Sequence, residues 1–328
     1  DRTQESRELI QRFSSSGYFF ISRQAGNPGE IRRWMDSGQI SAALQINKGF
    51  SRDMKKQQGT TVQVIVDGTD SNTASVVLAY AQRIVSEFSR QVLDQRLKRL
   101  PDHPPNLKKV FFRQGGIVVQ SRAFFNPNLE SRNFYVPGII ALLIMLVTLI
   151  LTCMAIVRER EIGTMEQVIV SPIRPFELIL GKTVPFAIIG YMDVALVTGV
   201  GLYLFDVPFR GSLALLLVAT TLYLLSSLGI GLFISTISQT QQQAMMSMFF
   251  FFVPAILLSG FIFPIANMPE AVQLLTYANP LRYFLIIIRG IFLKGSGLAI
   301  LWPQLLALAA IGAAVFTFSS LRFRKKLE

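Results

Sequence analysis

The residues able to do chemistry are few and far apart. His103 is the sole histidine and stands beside Pro104 and Pro105; Cys153 is the sole cysteine and lies inside an apolar run. Zinc takes three or four protein ligands, so neither residue nucleates a metal site. A lone cysteine closes no disulfide within one chain, and Cys153 reads as a small buried hydrophobe. Leu180-Gly181-Lys182-Thr183 matches the tail of a phosphate-binding loop. That loop also needs an earlier glycine whose backbone cradles phosphate, and the matching position is Phe176. The sequence therefore carries no ATPase site of its own, no nucleophile paired with a base, and no catalytic residue. Asp193 is the exception in kind. It is an ionisable residue well inside an apolar run, where a charge is costly, so by default it faces a cavity or a partner. A substrate path is one reading of it; a structural hydrogen bond to a neighbouring helix is the other.

The elements that would position such residues follow from how polarity is distributed. Of 328 residues 51% are hydrophobic, and the 32 Lys and Arg are unevenly placed. Twenty of them fall in residues 1–136 and twelve in residues 137–328, where they sit between long apolar runs. Two regions in two solvents, water and lipid, account for this. The net charge of +12 does not indicate nucleic acid, because acids alternate with bases, as at Arg7-Glu8 and Asp94-Arg96. A basic surface of that kind suits anionic lipid headgroups instead.

A helix needs about 20 apolar residues to cross a bilayer core of roughly 30 Å. Five segments qualify: 136–157, 184–205, 212–237, 244–265 and 298–321. Backbone polar groups in lipid must be paired within the segment, so the expected fold is an α-helical polytopic membrane domain over residues 136–328. Glycines at 199, 201, 229 and 231 mark close helix contacts or bends. Met245, Met248, Phe249 and Phe252 in the fourth segment are candidates for an adaptable apolar substrate path, with ordinary packing as the competing reading. Loop charge sets the orientation. Arg158, Arg160, Arg174, Lys182, Arg322, Arg324, Lys325 and Lys326 fall on one side; Arg210, Arg282, Arg289 and Lys294 fall on the other. The excess predicts that the first set is cytoplasmic and that residues 1–135 lie outside.

Residues 1–135 alternate helical and strand patterns and predict a small α/β domain. Helices are expected over 3–16, after the cap Asn27-Pro28, over 50–57 and over 71–100. Strands are expected over 18–22, 40–46, 62–66 and 117–125. On the other face of the membrane, residues 163–170 place Met165, Val168 and Ile169 at helical spacing amid charges. A short amphipathic helix there either anchors the loop at the surface or docks a cytoplasmic partner.

Several stretches taken in order resemble the permease subunits of type-2 ATP-binding-cassette (ABC-2) exporters, in the branch with a large extracytoplasmic domain after the first span. They are Arg158-Glu159-Arg160-Glu161-Ile162-Gly163-Thr164-Met165-Glu166-Gln167, Ser171-Pro172, Asn267-Met268-Pro269 and Asn279-Pro280-Leu281-Arg282-Tyr283, with Val66-Asp67-Gly68-Thr69-Asp70 and Phe125-Asn126-Pro127 in the first domain. The resemblance implies that residues 161–171 form a coupling helix against an ATPase subunit. Arg158, Glu159, Arg160, Glu161, Gly163, Thr164, Met165, Glu166, Gln167 and Ser171 would carry that contact. It implies short helices over about 267–294 that dip back into the outer leaflet. It implies ATP and magnesium bound by a partner ABC ATPase, a second permease copy or paralogue, and a periplasmic adaptor among the candidate partners in a bacterial inner membrane. Family members have six spans, so a further span is expected ahead of Asp1. An ATPase-independent transporter or channel, and a membrane-anchored binding or assembly module, are the alternatives. The first predicts more than one intramembrane charge, and the second needs one span rather than five.

Overall fold

The computed structural model describes residues 1, 3–56, 60–98, 116–163 and 175–322. The chain divides into two compact units, Asp1–Ser131 and Arg132–Glu328.

In the first unit, short-range hydrogen bonds set where helices begin. The Thr3 hydroxyl accepts from the Ser6 amide at the start of α1 (Gln4–Ser15). The Asn27 side chain accepts from the Glu30 amide at 3.0 Å, and Pro28 fills the first position of α2 (Pro28–Asp36). Strand β1 (Ala42–Ile46), α3 (Phe50–Lys55) and β2 (Thr60–Asp67) follow. The Asp70 carboxylate accepts from the Asn72 and Thr73 amides, both at 3.1 Å, as α4 (Ser71–Lys98) starts. The sheet order is β1-β2-β3, with β3 at Ile117–Phe124. β1 pairs antiparallel with β2, and β2 pairs parallel with β3. A parallel pair needs a long crossover, and α4 lies within it.

Alternation along β2 buries Val62, Val64 and Val66. They meet Leu9 and Phe13 of α1, Phe50 and Met54 of α3, and Ala81, Val85 and Phe88 of α4 in one core. Gly68, after β2, has no room for a side chain. A Cβ there would lie 2.8 Å from the Phe124 carbonyl and 2.9 Å from that of Asn126. The strand expected over 18–22 is not formed, and residues 18–25 are neither helix nor strand. Phe19 packs edge-on against Phe13 and Tyr18 stacks on Tyr80, whereas Phe20 is 92% exposed. The run of aromatic and β-branched side chains imitates a strand, but among the described residues no strand pairs with it.

The second unit is helical: α5 (Ser131–Ile162), α6 (Pro175–Tyr203), α7 (Leu213–Ile237), α8 (Gln241–Leu257), a 3-10 turn at Ile265–Asn267, α9 (Glu270–Thr276), α10 (Pro280–Arg289) and α11 (Leu298–Arg322). By length and composition α5, α6, α7 and α11 can cross a membrane. The number rises to five if Glu270–Thr276 and Pro280–Lys294, bent by 77°, make one broken span. That bent pair falls where sequence predicts helices dipping back. The predicted span 244–265 needs correcting. α8 has 17 residues, about 25 Å of helix at 1.5 Å per residue. Its apolar run continues beyond it through Phe261-Ile262-Phe263, but Gly260 takes φ +82° and the Ser259 hydroxyl accepts from the Phe261 amide. The helix ends while the hydrophobicity does not.

α7 is the centre of this unit. Against α5 it presents Tyr223, Ser227, Gly231 and Ser235, spaced four apart. The Tyr223 hydroxyl donates to the Ala141 carbonyl at 3.1 Å, the Thr148 hydroxyl to Ser227 Oγ at 3.0 Å, and the Val157 amide to Ser235 Oγ at 3.2 Å. Towards α11, the Ser319 hydroxyl donates to the Gly229 carbonyl at 2.9 Å. A Cβ on Gly229 would lie 3.1 Å from the Phe316 amide nitrogen, and one on Gly312 would lie 2.9 Å from Ser226 Oγ. Close approach through small and hydroxyl residues is how helices associate without a hydrophobic driving force. In both seams residue numbers rise together, so α5, α7 and α11 run parallel and finish at the same end.

Candidate functional site

The predicted site residues that the structure describes fall in two regions: the carboxyl end of α5, and the helices α6 and α8. At the first, Arg158 is exposed on the last turns of α5, and the next three residues each reach a different helix. The Glu159 carboxylate pairs with the Lys182 ammonium of α6. Arg160 Nη1 donates to the Ser238 carbonyl, just past α7, at 3.0 Å. Glu161 Oε2 accepts from Gln241, the first residue of α8, at 2.7 Å from its side-chain nitrogen and 3.3 Å from its amide. Gly163 then takes φ +84°, a conformation that suits glycine and stops the helix. Thr164, Met165, Glu166, Gln167 and Ser171 lie outside the described residues.

On α6, Asp193 is half-buried. Its Oδ2 is shielded and accepts no hydrogen bond among the described residues. Around it the helix exposes large apolar side chains every four residues, at Val184, Ile188, Met192, Leu196 and Val200. On α8 the structure does not place the four predicted path residues on one open surface. Met248 and Phe252 are buried with Ala244 and Ala255, whereas Met245 and Phe249 stand exposed beside Met246, Phe250 and Val253. The edge of the packed face runs between the two pairs, so core packing accounts for Met248 and Phe252.

Two features were not anticipated from sequence. One is the hydroxyl seam of α7, which its spacing of small and polar residues could have disclosed. The other is the engagement of two arginines counted as ordinary loop charges. The Arg289 guanidinium sits 3.8 Å from the Phe134 ring centre and 5.9 Å from that of Phe261. Arg282 lies 4.1 Å from the Tyr277 ring and donates to the Thr276 hydroxyl. Aromatic faces offset part of the cost of drawing a guanidinium out of water. No local pattern names these partners, because they come from other elements or across a turn.

Comparison with known proteins decides what this arrangement belongs to. The family model described as ABC-2 family transporter protein matches residues 1–321. The chain belongs to the ABC-2 transporter family. It is 35% identical over 327 residues to the probable multidrug ABC transporter permease YbhR of Escherichia coli (strain K12), an alignment covering 100% of this chain and 85% of that protein. It is 33% identical over 332 residues to the probable multidrug ABC transporter permease YbhS of the same strain, covering 98% and 85%. It is 30% identical over 334 residues to the inner membrane transport permease YhhJ, covering 100% and 84%. As an ABC-2 permease the chain is a multi-pass membrane protein, in keeping with its long apolar helices.

Proposed function

We propose that this permease is the membrane-spanning subunit of an exporter driven by a separate ABC ATPase, which binds ATP and magnesium. The observation that carries this reading is the family match running through both units, in a sequence whose only phosphate-loop fragment has Phe176 where glycine is needed. In this reading the shared end of α5, α7 and α11 faces the cytoplasm, in line with the basic residues of its loops, and residues 1–135 lie outside. Residues 161–171 meet the ATPase. A second copy or a paralogue covers the open side of the membrane unit.

The substrate class we favour is a small drug-like or lipid-like molecule. Two relatives carry the name multidrug permease. Here the open side of α8 offers Met245, Met246, Phe249 and Phe250, side chains able to repack around varied apolar shapes. Asp193, whose shielded oxygen accepts no hydrogen bond among the described residues, would serve the same path as a polar contact.

The test is biochemical. The permease is tagged, co-expressed with the ABC ATPase subunit from its own operon, purified in detergent and placed in liposomes. The ATPase is expected to be retained through purification, and vanadate-sensitive hydrolysis should exceed that of the ATPase alone. A permease that retains no ATPase overturns the reading.

A further inference from the structure

Glu159, Arg160 and Glu161 are consecutive on the last full turn of α5, and consecutive helical residues point about 100° apart. They cannot share one face, and they do not. One bonds α6 at Lys182, in its third turn, one the end of α7 at Ser238, and one the start of α8 at Gln241. The Val157 amide adds a tie to Ser235 of α7, one turn earlier. The chain then leaves the helix at Gly163 and enters the stretch read as the ATPase contact.

Ion pairs and hydrogen bonds that are only partly shielded from water, as these are, stabilise little individually. Their value here is directional. A helix end bonded to three neighbours cannot tilt or turn without displacing all three. We infer that Glu159, Arg160 and Glu161 are positioning residues that pass movement of the 164–174 stretch to α6, α7 and α8 together, rather than residues that dock the ATPase. This inference rests on the exporter reading and refines it. The family resemblance assigns these residues to the subunit contact, whereas their side chains are committed within the chain.

The two roles separate experimentally. Glu159→Lys sets two cations against each other, and the reciprocal pair Glu159→Lys with Lys182→Glu restores opposite charges in reversed order. Each variant, with its ATPase, is assayed for two quantities: the amount of ATPase retained on the tagged permease, and the permease-dependent increment in hydrolysis in liposomes. The single variant is expected to keep retention within about twofold and to lose the increment by about tenfold, the size of a typical coupling between sites. The reciprocal pair should recover most of it. Gln241→Ala, a milder change that removes the Glu161 side-chain partner, should lower the increment in the same sense. Size-exclusion profiles report folding for all three.

Loss of ATPase retention in step with the increment would mean that Glu159 docks the ATPase, and the inference falls. A reciprocal pair no better than the single variant overturns it too, as does a Gln241→Ala permease with an unchanged increment. Should the unaltered permease retain no ATPase, the exporter reading fails first and takes this inference with it.

Discussion

Both units bury large apolar side chains, but they differ in what lines their tightest contacts and in what their open faces carry. In the first, the buried set is Val, Leu, Phe and Met, gathered around β2 and covered by α1, α3 and α4. In the second, the tightest seams are lined by Gly, Ser and Thr, and the open faces carry Met, Leu, Ile and Phe. The contrast is sharp even between neighbouring helices: 56% of the most apolar stretch of α7 is buried, against 22% for α6. Water rewards hiding large apolar surface, whereas lipid gives no such reward and leaves close packing and hydrogen bonding to select what goes inside. Large apolar side chains such as Ile144, Leu149 and Phe284 fill the interior of the second unit too, but there hydrophobicity also covers the open faces and so does not by itself mark the inside.

This contrast can be broken or sharpened by substitution in the whole permease in detergent, with thermal unfolding as the measurement. The largest effect is expected in the first unit. Phe88→Ala empties a fully buried site and should cost about 3–5 kcal/mol. An intermediate effect is expected from added bulk in the second unit. Gly312→Leu must push against Ser226 and should cost about 1–3 kcal/mol. The same change at Gly199, which has nothing within 4 Å of its Cβ position, should cost far less. The smallest effect belongs to a single seam hydroxyl. Ser227→Ala removes one acceptor of the Thr148 hydroxyl, which also bonds the Ile144 carbonyl, and should cost about 0.6 kcal/mol. Met192→Ala on the open face of α6 should be near zero by the same assay. If trimming Met192 proved as costly as trimming Phe88, the two units would share one packing rule and the comparison would collapse.

What could be read from the chain beforehand divides along the same line. Long apolar runs disclosed α5, α6, α7 and α11 because spanning lipid demands length and composition, which are local properties. The alternation at Val62, Val64 and Val66 disclosed β2 for the same reason. The stretch 18–22 reads as a strand by composition, but among the described residues no strand pairs with it. The end of α8 was overshot because apolarity continues past the break at Gly260. At the candidate site, residue type flagged Asp193, and the family resemblance flagged the polar turn of α5. The division of Glu159, Arg160 and Glu161 among three helices depends on which helices surround α5, and no local pattern encodes that. The split of Met245 and Phe249 from Met248 and Phe252 likewise depends on where the packed face of α8 ends.

The parallel course of α5, α7 and α11 has an electrostatic consequence. Each helix carries a macrodipole worth roughly half an elementary negative charge at its carboxyl terminus. Three such termini side by side gather that partial charge at one end of the bundle. Arg158 and Arg160 stand on the final turns of α5, and the Arg160 guanidinium bonds the Ser238 carbonyl just past α7. Basic residues at these helix ends thus offset part of the field that the backbone builds there.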